Sequence, residues 1–153
     1  MISVIRISGM VDVNKDIENT MYRLRLRRKY SCVVLRENKE LKGMLEKIRN
    51  FVAYGKIDDE TLKQLIEKRG QLLQKAAKEN RLKSDKGKIN AESIAKMIKN
   101  TKPDIKIDYK KLGIKPFFRL HPPRGGIKSK KHYPKGVLGD NKEKINELIR
   151  RML

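Results

Sequence analysis

The stretch that decides the fold is CVVLRENKELKGMLEKIRNFVAYGKI, residues 32–57. It opens on a dense apolar run, CVVLR at 32–36, of the β-rich kind expected in a central strand. Asn38 then stands where a helix cap belongs, and Leu41, Met44, Leu45 and Ile48 recur on one helical face. FVAYGKI at 51–57 reads as another strand. Upstream, ISVIRIS at 2–8 alternates loosely, as a half-buried strand should, with Ile5 and Ile7 on one face and Val4 on the other. Between the two lies a helix that Asn14 caps and that carries Ile17, Met21 and Leu24 as its stripe. Arg23, Arg27 and Lys29 fall off that stripe, so RLRLRRK at 23–29 is expected to close the helix with positive charge suited to its dipole. The order is βαβαβ within 57 residues. Short helices and tight connections predict an α+β core, a three-stranded sheet with two helices on one face.

From residue 58 the pattern changes. DDETLKQLIEKRG at 58–70 has acids in its first turn, Leu62, Leu65 and Ile66 on a stripe, and Gly70 as the stop. QLLQKAAKEN at 71–80 extends or restarts that helix, and KSDKGK at 83–88 reads as a polar loop. NAESIAKMIKN at 90–100 is a short helix capped by Asn90, with Ile94, Met97 and Ile98 inward. The chain closes on a helix at 140–152, where Asp140 and Glu143 form an acidic capping box and Ile145, Leu148, Ile149 and Met152 make the stripe. The expected organisation is a core at 1–57 and a helical extension at 58–153 that contains a basic strip at 115–136.

The strip sets the partner class. FFRLHPPRGGIKSKKHYPKG at 117–136 holds Arg119, Arg124, Lys128, Lys130, Lys131 and Lys135 and no acid. Pro122, Pro123 and Pro134 exclude a helix interior, while Gly125 and Gly126 let backbone approach a phosphate closely. The whole chain carries 39 Lys and Arg against 18 Asp and Glu, a net charge of +21, which attracts polyanions over distance. Irregular, extended and basic, the strip suits folded RNA better than a regular duplex. Phe117 and Phe118 are read as anchors onto the domain, and Tyr133 as a contact to a sugar or base.

Chemistry other than binding finds little support. Gly125 and Gly126 lack the spacing of a nucleotide-binding glycine loop. His121 and His132 could in principle serve as acid and base in RNA cleavage, but two histidines in a basic loop do not make a catalytic set. Cys32 is the only cysteine and sits in an apolar strand, so it reads as a buried hydrophobe, without disulfide or thiolate metal cluster, in an intracellular setting. Asp58, Asp59 and Glu60 are explained by their place at a helix start. No run approaches the length of a membrane span, and the first residues do not form a signal peptide. The reading is therefore a cytoplasmic nucleic-acid binder without catalytic residues, cofactor or metal; a basic architectural protein on DNA or RNA outside any particle is the alternative.

Five stretches carry a family resemblance: IRISG at 5–9, LRLRRKYSCVVLREN at 24–38, LKGMLEKIRNFVAYGKI at 41–57, KPFFRLHPPRGG at 115–126 and NKEKINELIRRML at 141–153. Together they resemble the large-subunit ribosomal protein thirty family in its universal naming. Its short bacterial members stop near the third strand, and the remainder is similar to the longer archaeal form and to protein seven of the eukaryotic large subunit. The resemblance implies a core related to the ferredoxin-like fold. It implies a monomeric structural component of the ribosome that binds large-subunit ribosomal RNA and adjoins neighbouring large-subunit proteins, with a contact to 5S RNA, and no enzymatic activity. By matching motif it assigns RNA contact to Arg23, Arg25, Arg27, Arg28 and Lys29, and to Arg119, His121, Arg124, Gly125, Gly126, Lys128, Lys130, Lys131 and His132, with Arg36 and Lys42 as further candidates. Tyr133 and Lys135 join the list from the composition of the strip. An RNA-embedded strip is expected to take its order largely from its partner and to be mobile alone.

Overall fold

The computed structural model describes residues 1–9, 11–71, 91–100, 109, 113–127 and 129–153. The sequence readings at 72–90 and over most of 101–112, and the candidate Lys128, lie outside the described residues. The first half of the chain follows the expected order: β1 (Ile2–Arg6), α1 (Lys15–Arg23), β2 (Ser31–Leu35), α2 (Lys39–Ile48) and β3 (Val52–Lys56). β1 pairs antiparallel with both β2 and β3, so β2 and β3 run parallel with β1 between them. This split β-α-β arrangement around a central strand is the ferredoxin-like core.

The sheet is wider than three strands. Two short strands from the second half extend it at opposite edges: β4 (Phe118–Arg119) beside β2 and β5 (Gly139–Asp140) beside β3, giving the order β4-β2-β1-β3-β5. Two-residue strands leave no period-two pattern to detect, which is why the sequence reading stopped at three.

The centre of the sheet also falls on β1, where the sequence pointed to CVVLR. All five β1 residues are buried, because both faces of the sheet are covered. On one face α1 and α2 pack Met21, Leu41, Leu45 and Ile48 against Val4, Val33 and Val52. On the other, α3 (Asp59–Arg69), α4 (Ala91–Asn100) and α5 (Ile145–Met152) pack Leu62, Leu65, Ile94, Ile98, Ile149 and Met152 against Ile5, Ile7, Cys32, Val34 and Ala53. The half-buried expectation for β1, drawn from its loose alternation, fails even at the polar positions Ser3 and Arg6. Both are inside with partners: Ser3 Oγ lies 3.4 Å from Gly55 O, and Arg6 donates to four carbonyls.

The C-terminal helix docks as its stripe requires, with Ile145, Leu148, Ile149 and Met152 all buried. A 3₁₀ turn at Lys142–Lys144 precedes it, and the capping box expected of Asp140 and Glu143 is corrected: Asp140 ends β5 and its Oδ1 accepts from Lys142 N at 2.9 Å, while the helix starts at Ile145 without a side-chain cap bond. Asn146 fixes the helix against β3 and α3, its amide donating to Lys56 O and its Oδ1 accepting from Asp58 N at 3.0 Å. Among the described residues, no helix is long and apolar enough to cross a membrane.

Candidate nucleic-acid interface

RLRLRRK does not continue the helix. α1 stops at Arg23; Leu24 N still bonds to Thr20 O, but Arg25 turns to φ 62° and Leu26 N returns to Met21 O at 2.8 Å. Beyond that point the alternation is what matters. Leu24 and Leu26 are buried while Arg23, Arg25, Arg27, Arg28 and Lys29 are exposed, so the leucines anchor a loop at 24–30 whose cations all face solvent. The two-residue period of R-L-R-L was the signal of a non-helical segment.

Arg6, at the end of β1, supports this loop from beneath. Its Nη1 lies 2.7 Å from Leu26 O and 3.0 Å from Arg27 O, and Tyr30 N returns to Arg6 O at 2.7 Å. Burial lowers the pKa of the guanidinium, with nearby Glu18 opposing the shift. Sequence reasoning passed over Arg6 because it sits inside an apolar strand.

The strip begins at β4, where Arg119 is opposite Ser31 and Leu120 N bonds to Tyr30 O at 3.0 Å. Arg119 therefore lies beside the end of the basic loop. Phe118 is fully buried and Phe117 packs on the α1–α2 side, so both are the anchors expected. Next the strip meets the end of α5: His121 N bonds to Met152 O and Arg124 N to Arg151 O, both at 3.0 Å. Arg151 closes the turn, its Nε and Nη2 donating to Arg124 O at 2.9 and 2.7 Å and its Nη2 to Gly126 O at 2.6 Å. Gly125 and Gly126 both take left-handed φ, 75° and 70°, a pair of conformations that side chains other than glycine rarely adopt.

Beyond Lys128 the strip folds on itself. Leu138 N bonds to Lys131 O at 3.0 Å, Tyr133 N to Leu138 O at 2.9 Å, and Gly136 N to His132 O at 3.0 Å, around a cis Tyr133–Pro134 peptide. A Cβ at Gly136 would run into the backbone of Lys131. The His132 ring is tied to Asn50, Nε2 to Oδ1 at 2.9 Å. The described residues at 129–138 form a loop hydrogen-bonded within the chain.

These details converge on one end of the sheet. The end of β1, the starts of β2 and β3, Arg119 at one edge and Gly139 at the other all lie there, and the strip passes around that end from β4 to β5. The loop at 24–30 occupies the same end. Arg23, Arg25, Arg27, Arg28, Lys29, Arg119, His121, Arg124, Gly125, Gly126, Lys130, Lys131, His132 and Lys135 are all exposed, and Tyr133 is half-buried beneath Lys144 Nζ at 5.7 Å from its ring centroid. Residues 19–36 and 109–139 contain no acid. Among the described residues, the ion pairs involve Lys42, Lys47, Arg49, Lys63 and Arg150, and none involves a cation of the loop or the strip. Like charges held together without counter-charge form a surface that a polyphosphate relieves.

Two further candidates are otherwise engaged. Arg36 is half-buried and donates to Ile98 O at 2.6 Å, and Lys42 pairs with Glu37 at 3.0 Å, a bond that lowers the Glu37 pKa. Cys32 is fully buried, and burial pushes its thiol up to about 12. Among the described residues no group of three His, Cys, Asp or Glu could hold a metal ion.

Comparison with known proteins agrees with this geometry. The family described as ribosomal protein L30p/L7e matches residues 2–52, from β1 to the start of β3. Over 99% of this chain and 99% of its own length, the large ribosomal subunit protein uL30 of Archaeoglobus fulgidus is 42% identical. Proteins of the same name from Nanoarchaeum equitans and Methanococcus vannielii are 37% and 40% identical over 99% of the chain and 97% and 98% of their own lengths. Full-length similarity at this level takes in the extension and the basic strip as well as the core, and the chain belongs to the uL30 family of large ribosomal subunit proteins.

Proposed function

We propose that this chain is a structural component of the large ribosomal subunit in the cytoplasm, binding large-subunit ribosomal RNA to support assembly and translation, with no catalytic step of its own. The observation that carries the reading is the convergence of two acid-free segments, 24–30 and 115–136, on one end of the sheet. The core at 1–57 supplies one segment and the extension at 58–153 the other, so the two parts bind as a unit. Arg23, Arg25, Arg27, Arg28, Lys29, Arg119, His121, Arg124, Gly125, Gly126, Lys128, Lys130, Lys131, His132, Tyr133 and Lys135 make up the proposed contact set. Neighbouring large-subunit proteins and 5S RNA adjoin the faces that this end leaves free, one copy of the chain per subunit.

The test is sedimentation from the chain's own cells at high salt. Co-migration with the large subunit at one copy per particle supports the reading; release to the top of the gradient, or migration with the chromosome, overturns it in favour of a DNA-binding role. With purified RNA, neutralising about 6 to 10 phosphates weakens binding by roughly three to five decades between 50 and 200 mM salt. A salt-insensitive constant would contradict the proposed interface.

A further inference from the structure

Among the described residues Tyr22 is the one exposed aromatic side chain, at 54% relative exposure, and it belongs to no part of the contact set above. It sits in the last turn of α1, two residues before the basic loop. The Arg27 guanidinium carbon lies 3.9 Å from its ring centroid, which is stacking distance. Both halves of the stack are held by backbone: Tyr22 O accepts from Arg25 N at 2.9 Å, and Arg27 O accepts from Arg6 Nη1. Between Glu18 and Glu37 there is no acid to draw Arg27 away.

We propose that the Tyr22–Arg27 stack is a platform for one unpaired nucleobase of structured RNA. Its chemistry differs from that of the surrounding cations. Lysines and isolated arginines neutralise phosphates without regard to pairing, whereas a planar π surface backed by a guanidinium takes up the face of a base that has left its helix. A tyrosine loses few rotamers on binding, and here the arginine is already laid on its ring, so the platform is formed before the base arrives. The inference rests on the RNA-binding reading given above and deepens it, by placing one base-stacking site at the α1 end of the interface.

The chain has no tryptophan, so Tyr22→Trp installs a single fluorescent reporter at the platform. The probe is the transcribed large-subunit ribosomal RNA of the source organism, with a fully paired RNA duplex as control. Emission quenched by the ribosomal RNA and unchanged by the duplex is expected. Tyr22→Leu should weaken binding of the ribosomal RNA by about 5- to 100-fold with an unchanged salt slope, and Tyr22→Phe should restore it. Wild-type affinity in Tyr22→Leu, or equal quenching by the duplex, overturns the platform. A loss in Tyr22→Leu that lowers the salt slope by about one also overturns it, since Tyr22 would then only position Arg27 on a phosphate. If the unaltered chain fails to bind ribosomal RNA at all, the RNA-binding reading itself falls and the platform with it.

Discussion

Arg6 Nη1 stands 2.7 Å from the carbonyl oxygen of Leu26, so a buried cation at the end of the central strand holds the backbone from which the exposed cations project. The relationship joins core and interface: Arg6 belongs to β1, and its charge is spent on carbonyls at Ser8, Gly9, Leu26 and Arg27. Arg6→Met keeps the apolar stem but removes every donor. It is expected to destabilise the fold by about 3 kcal/mol, the cost of leaving buried carbonyls unpaired. A fall in the urea midpoint with unchanged slope would report it. RNA affinity should drop as well, although Arg6 itself is buried; unchanged affinity would show that the loop keeps its shape without this support.

Arg151 plays the corresponding part for the strip, its guanidinium closing the turn through Arg124 O and Gly126 O. The planar fork suits two carbonyls at once, and a lysine ammonium cannot reproduce it. Arg151→Lys keeps the charge and is therefore expected to weaken RNA binding by about 1 kcal/mol, with the salt slope preserved. Binding equal to wild type would assign Arg151 to the C-terminal dipole alone.

How much of this was legible depended on the scale of the pattern. The elements of the first half announce themselves because each carries several apolar residues at one period, as Leu41, Leu45 and Ile48 do on α2. β4 and β5 pair through two residues each, so only tertiary contact reveals them. The cations were legible as a class from charge and missing acids, but not their assembly. Nothing local to RLRLRRK says that Arg119 will sit opposite Ser31. Nor does an arginine inside ISVIR say that its guanidinium will reach the loop twenty residues on. Tyr22 escaped notice because its exposure depends on where α1 ends.

The closed loop of the strip turns on Gly136. Alanine there would press its Cβ against Lys131, so the strip must open. Gly136→Ala is expected to cost about 1 to 3 kcal/mol. In the free wild-type protein the amides of Tyr133, Gly136 and Leu138, each bonded within the strip, should exchange slowly; in the variant they should exchange at rates near those of an open chain. Fast exchange at all three in the wild type would mean a strip that takes its order largely from its partner.

Cys32 makes stability depend on alkaline pH. Burial pushes its thiol up to about 12, well above the ordinary range of a cysteine. Below pH 9 folded and unfolded chains both keep the proton, and pH has no effect through this group. From about pH 9 to about pH 12 the unfolded chain releases it while the folded chain does not, so the folded state binds more protons and stability falls as pH rises. At 1.36 kcal/mol per unit, the full interval is worth about 4 kcal/mol. Tyr109, whose hydroxyl donates to Val34 O, is also raised by burial and adds to the loss in the same direction. Urea midpoints at pH 8 and pH 10.5 measure the effect. The wild type should lose stability between them, Cys32→Val should lose less, and a thiol reagent at pH 8 should reach Cys32 only once denaturant has opened the sheet. Equal losses in wild type and variant would mean that the thiol ionises in place and that its burial between β1 and β4 does not hold the proton.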